Sequence, residues 1–223
     1  MTVEKAIRVD LHNHTHYSPD SILTPKQFVR EAPRRRLDVV AVTDHNTIRG
    51  ALAVSELADF PVIVGEEVRS RDGEILGLFL SDEIPKGLSA GDTIARIKHQ
   101  GGIVGVPHPF DSLRSALRQD ALLAHLDQID FIEGLNARMV FSSHNDKARE
   151  FAAERGLAVT AGSDAHSPWE VGRVWVEMPS FEGAANFVAA LRRGRLVGRL
   201  SSPLVHLISR YAYLRRALGW KPA

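Results

Sequence analysis

The chain has 223 residues, 44% of them hydrophobic, enough to bury a sizeable single core. Lys and Arg number 28 against 27 Asp and Glu, a formal net charge of +1, so no global field demands nucleic acid as a partner. Cysteine is absent, which excludes disulfides, thiolate zinc sites and a cysteine nucleophile. The opening "MTVEKAIRVDLHNH" carries no apolar signal core and no run approaches membrane-spanning length, so a cytoplasmic protein is expected.

Along the chain, short apolar and β-branched runs recur: "IRVDL", "LDVVAVTD", "PVIVGEEV", "EILGLFL", "GGIVGVP", "IDFIEGL", "LAVTAGSD" and "GRVWVEM". Between most of them lie stretches with helical patterning, at Thr24 to Arg36, Thr47 to Ala58, Ala90 to Gln100 and Asn145 to Gly156. Thr24 before Pro25 reads as an N-cap, and Gly156 as a helix stop. "RSRDGE" reads as a hairpin joining the third and fourth runs. Strand alternating with helix predicts parallel pairing with right-handed crossovers, and seven or eight such units predict a barrel. Residues 1–200 are read as one domain, and 201–223 as an amphipathic helical tail. In that tail Leu204, Leu207, Ile208, Tyr211 and Leu214 have helical spacing, among Arg210, Arg215 and Arg216. It reads as a helix packed on the barrel, a dimer contact, a basic rim or a membrane-surface helix.

Nearly every run ends in a side chain able to bind metal. The first ends in Asp10, His12 and His14, the second in Asp44 and His45, the third in Glu66 and Glu67. His108 follows "GGIVGVP", "IDFIEGL" carries Glu133 and then Asn136, and "LAVTAG" leads to Asp164 and His166. The C-terminal strand ends of a parallel barrel converge on one face, and that face carries the active site. In extended chain, alternate side chains share a face, so His12 pairs with His14 and Asp164 with His166. Each pair or dipeptide alone could be a strand terminus or a turn; their joint occurrence at successive strand ends points to a site. These donors exceed what one tetrahedral ion takes, so two or three divalent ions are expected, with Glu67 bridging. Nitrogen and oxygen donors without sulfur suit zinc, manganese or iron(II).

From about Val9 to Gly172 the chain resembles the polymerase and histidinol phosphatase (PHP) family, through "DLHNHTHYSPDS", "AVTDHN", "VGEEV", "VPHPF", "IEGLNAR" and "TAGSDAH" in the family's order. The resemblance implies a distorted (β/α)7 TIM-like barrel and a trinuclear centre. One ion would take His12, His14, Glu67 and Asp164. A second would share Glu67 and take His108, with Asn136 standing where some members have histidine. The third would take Asp20, His45 and His166, Asp20 standing where many members have histidine. His16 has no ligand slot in the family pattern, which puts it behind the ligands or in the pocket wall.

Two cations about 3.5–4 Å apart lower the pKa of a bridging water and clamp a phosphoryl group for in-line attack. The expected reaction is therefore hydrolysis of a phosphate ester by metal-bound hydroxide, with Asp164 or His166 orienting the nucleophile. His16, His144 or the ion on His45 would assist the leaving group, and Arg138 and Arg173 would line the rim as planar donors. The expected substrate is a small phosphomonoester or nucleotide, with no stable nucleic-acid partner. The competing readings are a nuclease or phosphodiesterase on short oligonucleotides, an amidohydrolase and a non-catalytic scaffold. Many amidohydrolases bridge their metals with a strand-end lysine where this chain has Glu67.

Overall fold

A computed structural model describes residues 6–219. The extreme ends, residues 1–5 of the opening segment and 220–223 of the tail, lie outside the described residues. In chain order the elements are β1 (Ile7–Asp10), α1 (Pro25–Arg34), β2 (Val39–Val42), α2 (Arg49–Leu57), β3 (Val62–Ser70), β4 (Gly73–Leu78) and α3 (Ala90–His99). They continue with β5 (Ile103–Val106), α4 (Gln119–Ala124), β6 (Phe131–Asn136), α5 (Ser142–Arg155) and β7 (Ala158–Gly162). The last are β8 (Val174–Met178), α6 (Gly183–Leu191), β9 (Arg195–Gly198) and α7 (Val205–Ala217). All eight apolar runs form strands. The ninth, β9, arises from "RLVG" just ahead of the tail.

The sheet order is β7-β6-β5-β4-β3-β2-β1-β8-β9. β1, β2 and β3 pair in parallel, as do β5, β6 and β7, while β4 runs antiparallel between the two sets. Beyond their strands, β1 and β7 meet: Leu11 N donates to Ala161 O at 3.2 Å, Asp164 N to His12 O at 2.7 Å and His14 N to Ala165 O at 2.9 Å. β8 takes the other half of that edge, opposite Ile7 to Val9. Seven strands thus curl into a nearly closed, distorted barrel, with β8 and β9 appended. One apolar core gathers Val9, Leu11, Phe131, Val176 and Phe187 around β1, β6, β8 and α6, and two others pack strands against helices.

Local chemistry accounts for the helix ends. Thr24 Oγ1 accepts from Gln27 N at 3.2 Å while Gln27 Oε1 accepts from Thr24 N at 3.0 Å, a reciprocal capping box ahead of Pro25. Gly156 ends α5 at φ +64°, a left-handed position that glycine takes without a Cβ clash. Around α7 the stripe of Leu204, Leu207, Tyr211 and Leu214 faces outward. Contact is made instead by Val205, His206, Ser209 and Arg216, with Ala212 buried. Among the described residues no helix is long and apolar enough to cross a membrane.

Candidate metal centre

His12 and His14 leave the end of β1 on one face, and both are buried. Asn13 points the other way, its amide donating to Ala41 O at 3.2 Å. His12 Nδ1 is held by Glu133 Oε1 at 2.9 Å. His14 Nδ1 donates to Ser18 Oγ at 3.1 Å, and that hydroxyl donates to Asp44 Oδ1 at 2.6 Å. With each Nδ1 engaged, the two Nε2 atoms face each other at 3.0 Å. Two ring lone pairs aimed at one point repel unless a proton or a cation lies between them, and carboxylates anchoring the far ring nitrogens are typical of ligand histidines.

Other strand ends supply the counterpart. Asp164 Oδ1 lies 3.3 Å from His14 Nε2 and 3.8 Å from His12 Nε2. Glu67 reaches four rings: its Oε2 is 3.5 Å from His12 Nε2, 3.3 Å from His14 Nε2 and 3.1 Å from His45 Nδ1, and its Oε1 is 3.0 Å from His108 Nε2. Asp20 Oδ2 lies 2.9 Å from His166 Nε2 and 3.5 Å from His45 Nε2. His166 Nδ1 donates to the Asp164 carbonyl at 2.8 Å, which turns Nε2 toward Asp20. Three groups of donors lie within 4.8 Å of one another: His12, His14 and Asp164; His14, His45 and His166; and His45, Glu67 and Glu74. The donor set fits divalent cations. Glu67 stands between the groups, as a bridging ligand would.

The backbone is shaped for this convergence. Asn46, His108 and Asp164 hold φ of 56°, 27° and 51°, unusual for residues with a Cβ. Such strain clusters where function over-determines it. Gly162 is required by close approach, since a Cβ there would overlap His12 Cβ and Glu133 Oε1.

The site's titration is set by burial against mutual charge. Burial opposes a charged His45, but the Glu67 and Asp20 carboxylates prevail and push it up to about 10. His12 is raised well above its ordinary value because Glu133, Asp164 and Glu67 outweigh burial. Asp164 is held well below the usual carboxylate range, the Arg114 guanidinium and His12 overcoming burial. His166 goes the other way: burial and the nearby Arg138 charge lower it to about 4, so its ring is neutral at physiological pH.

A cavity of about 330 Å³ opens over these groups, walled by Asp20, His45, Glu67, His108, Asp164 and His166. Of the two expected arginines, Arg138 lines it, whereas Arg173 turns away and donates to Leu200 O at 2.7 Å. His16 is buried and does not line it, and His144 packs edge-on against Phe141 at the start of α5. Asn136 also departs from expectation. Its Oδ1 accepts from Arg114 Nη2 at 3.1 Å and Arg138 N at 2.9 Å, while its Nδ2 donates to Glu133 Oε2 at 3.0 Å and Asp164 Oδ2 at 3.1 Å. With the amide oxygen doubly engaged, Asn136 buttresses the Glu133 and Asp164 carboxylates. Asp44 likewise points away, accepting from Thr15 N at 2.7 Å and Ser18 N at 3.1 Å.

Sequence reasoning passed over Arg114, Glu74 and the α7 residues His206, Ser209 and Tyr213, all of which line the cavity. Arg114 pairs with Asp164 and with Asp111, the latter at 2.7 Å. Glu74 Oε2 comes within 3.9 Å of His108 Nε2. One signal for Arg114 was available: its loop follows β5, so it emerges on the face where the strands end.

Residues 10–154 match the family model of the PHP domain, and residues 142–196 match that of a PHP-associated region. The uncharacterized protein MJ1587 of Methanocaldococcus jannaschii is 39% identical over 137 residues, 56% of this chain and 80% of its own. Among solved structures, a candidate metal-dependent phosphoesterase from Bifidobacterium adolescentis superposes with a TM-score of 0.61 at 20% identity, over 71% of this chain and 87% of its own. The lesion-specific endonuclease PfuEndoQ from Pyrococcus furiosus gives 0.64 at 18% identity, over 89% of this chain and 60% of its own. An amidohydrolase from Chromobacterium violaceum gives 0.57 at 16%, over 91% and 96%. At these identities the structural likenesses establish the fold alone.

Proposed function

Because this chain belongs to the PHP family, we propose that it is a metal-dependent phosphoesterase that hydrolyses a small phosphomonoester or nucleotide. The observation that carries this reading is the convergence of the His12 and His14 Nε2 atoms, at 3.0 Å, with Glu67 and Asp164 beneath the cavity. Two or three divalent ions, zinc, manganese or iron, would be held there. His12, His14, Glu67 and Asp164 would take one, and Asp20, His45 and His166 another. A further ion would share Glu67 and take His108, with Glu74 in the place expected for Asn136. Divalent ions in such a site lower the pKa of bound water toward neutrality and neutralise a phosphoryl group.

The protein's own part is orientation. Asp164 stays ionised and accepts a hydrogen bond from the attacking water, while neutral His166 keeps its Nδ1–H on the Asp164 carbonyl. Arg114 and Arg138 put planar positive charge on the cavity wall, where phosphoryl oxygens would lie. A bond from the water oxygen to phosphorus forms as the ester P–O bond opposite it breaks; the water gives up a proton to solvent and the leaving alkoxide takes one from solvent, so the products are phosphate and the free alcohol. A volume of about 330 Å³ lies at the small end of ligand pockets, which favours a monoester over a polynucleotide. The amidohydrolase reading loses ground because the bridging position holds Glu67, a carboxylate.

Purified protein, with its metals measured by elemental analysis, is to be assayed for phosphate release. The panel holds sugar phosphates, histidinol phosphate, mononucleotides, bisphosphorylated nucleotides and short RNA, each with and without chelator. The expected result is two to three ions per chain and chelator-sensitive release from small monoesters. Cleavage of RNA alone would replace this reading with the nuclease, and metal-loaded protein active only on amides would replace it with the amidohydrolase. A chain that cannot be loaded with metal would overturn it.

A further inference from the structure

Both matched family models end by residue 196, so α7 lies outside what family membership describes. Its contacts are specific. At one end Arg216 Nη2 donates to the carbonyls of His16 and Ser18, the latter at 3.1 Å, and so grips the loop that runs on to Asp20. Toward the other end, Arg138 Nη2 donates to Val205 O at 3.1 Å and to Ser209 Oγ at 2.9 Å, and His206 Nε2 donates to the Arg138 carbonyl at 3.1 Å.

Arg138 passes the connection on. Its Nε lies 3.3 Å from Glu170 Oε1, and Glu170 Oε2 accepts from Ser167 Oγ at 2.7 Å and His166 N at 3.3 Å. One 13-residue helix, about 20 Å long, therefore ties together the two loops that present Asp20 and His166. Those loops are 146 positions apart in the chain, yet the two side chains meet at 2.9 Å. Both Arg138 and Glu170 are buried, so a shift at one end of this relay is not absorbed by solvent.

We propose that α7 is a strap that assembles the Asp20–His45–His166 cation site, with Arg216 and Arg138 as its positioning residues. The proposal rests on the metal-site reading above and adds that the third site depends on the tail more than the other donors do. His12 and Glu67 are fixed by strand ends and Glu133, and the Ser18 hydroxyl that holds His14 is itself anchored on Asp44. Asp20 sits in a loop whose outer side is held by Arg216.

The test uses full-length protein and Mn2+ alone, counting bound ions from the electron paramagnetic resonance signal of free Mn2+. Arg216→Ala is expected to weaken one ion at least tenfold while the others bind as in the wild type. Arg216→Lys should recover part of that loss, and Arg210→Ala, on the exposed side of α7, should change nothing. Asp20→Asn should weaken the same ion, and adding Arg216→Ala to it should cost little more, because both act on one site. Should Arg216→Ala fail to fold by circular dichroism, Ser209→Ala, which removes the gentler anchor, must weaken that same ion. Wild-type affinity for every ion in Arg216→Ala, or in Ser209→Ala when it stands in, overturns the proposal, as does uniform weakening of all ions. Wild-type protein that takes up no Mn2+, Zn2+ or Fe2+ would instead overturn the metal-site reading itself.

Discussion

Two adjacent glutamates on β3 face opposite ways, and their contrast is measurable. Glu67 enters the candidate metal centre, while Glu66 is buried on the other side of the strand. Glu66 Oε2 accepts from Ile84 N at 2.8 Å, whereas its Oε1 has no hydrogen-bond partner among the described residues. Burial, with a smaller push from Glu83, raises its pKa from 4.5 to about 7. The native state thus holds this proton more tightly than the unfolded chain does. That advantage is complete below about pH 4.5, shrinks as pH climbs through 7, and is gone above it. At 1.36 kcal/mol per pH unit the whole change is at most about 3 kcal/mol. Glu66→Gln keeps an oxygen for Ile84 N and removes the charge. The variant should match the wild type within about 1 kcal/mol at pH 5 and exceed it by up to about 3 kcal/mol at pH 8.5. Urea denaturation of both proteins in chelator across that range reads the difference directly. A gap that stays constant with pH, or a variant less stable at pH 8.5, would refute the reasoning.

Glu67→Gln should do the reverse, removing the charge shared by four histidines; elemental analysis should find at least one ion fewer per chain, and hydrolysis should fall with it. His45 is pushed up to about 10, so in metal-free protein its protonation adds stability that is complete below about pH 6.5 and is lost as pH rises through 10. A cation must displace that proton, so metal affinity should rise over the same window, and calorimetry in two buffers of different ionisation heat should record proton release at pH 7.5; binding with none would contradict the assignment. Gly162→Ala would drive a methyl into His12 and Glu133, and urea denaturation should show a loss of about 1–3 kcal/mol.

Much of this fold was legible because apolar strands advertise themselves: each apolar run became a strand, and donors following five of them lie at one face. Glu74 was hidden by direction. β4 runs antiparallel to its neighbours, so the start of that strand, not its end, reaches the site. A rule that inspects C-terminal strand ends passes over it. Asn136 reaches the site through register: the pairing of β6 with β7 shifts between Glu133 and Leu135, which sets Asn136 beside Glu133 rather than on the alternate face. In the tail, Leu204 to Leu214 are spaced as on one stripe of a helix. Periodicity marks a stripe without saying which side is covered, and the side that binds is a mixture of small and polar residues too weakly patterned to read.

The asparagine also has a positive reason to be there. Behind the donor cluster, Glu133 and Asp164 bring two buried carboxylates toward one point, with the Arg114 guanidinium alongside. A residue between them must donate to both acids and accept from the guanidinium. Neutral histidine has one N–H and carboxylate has none, but a primary amide has two N–H groups and an oxygen. Asn136 uses all of them, donating to Glu133 and Asp164 and accepting from Arg114. Glu133 in turn orients His12, and Asp164 faces His12 and His14. Asn136 therefore fixes the two carboxylates that face the histidine cluster.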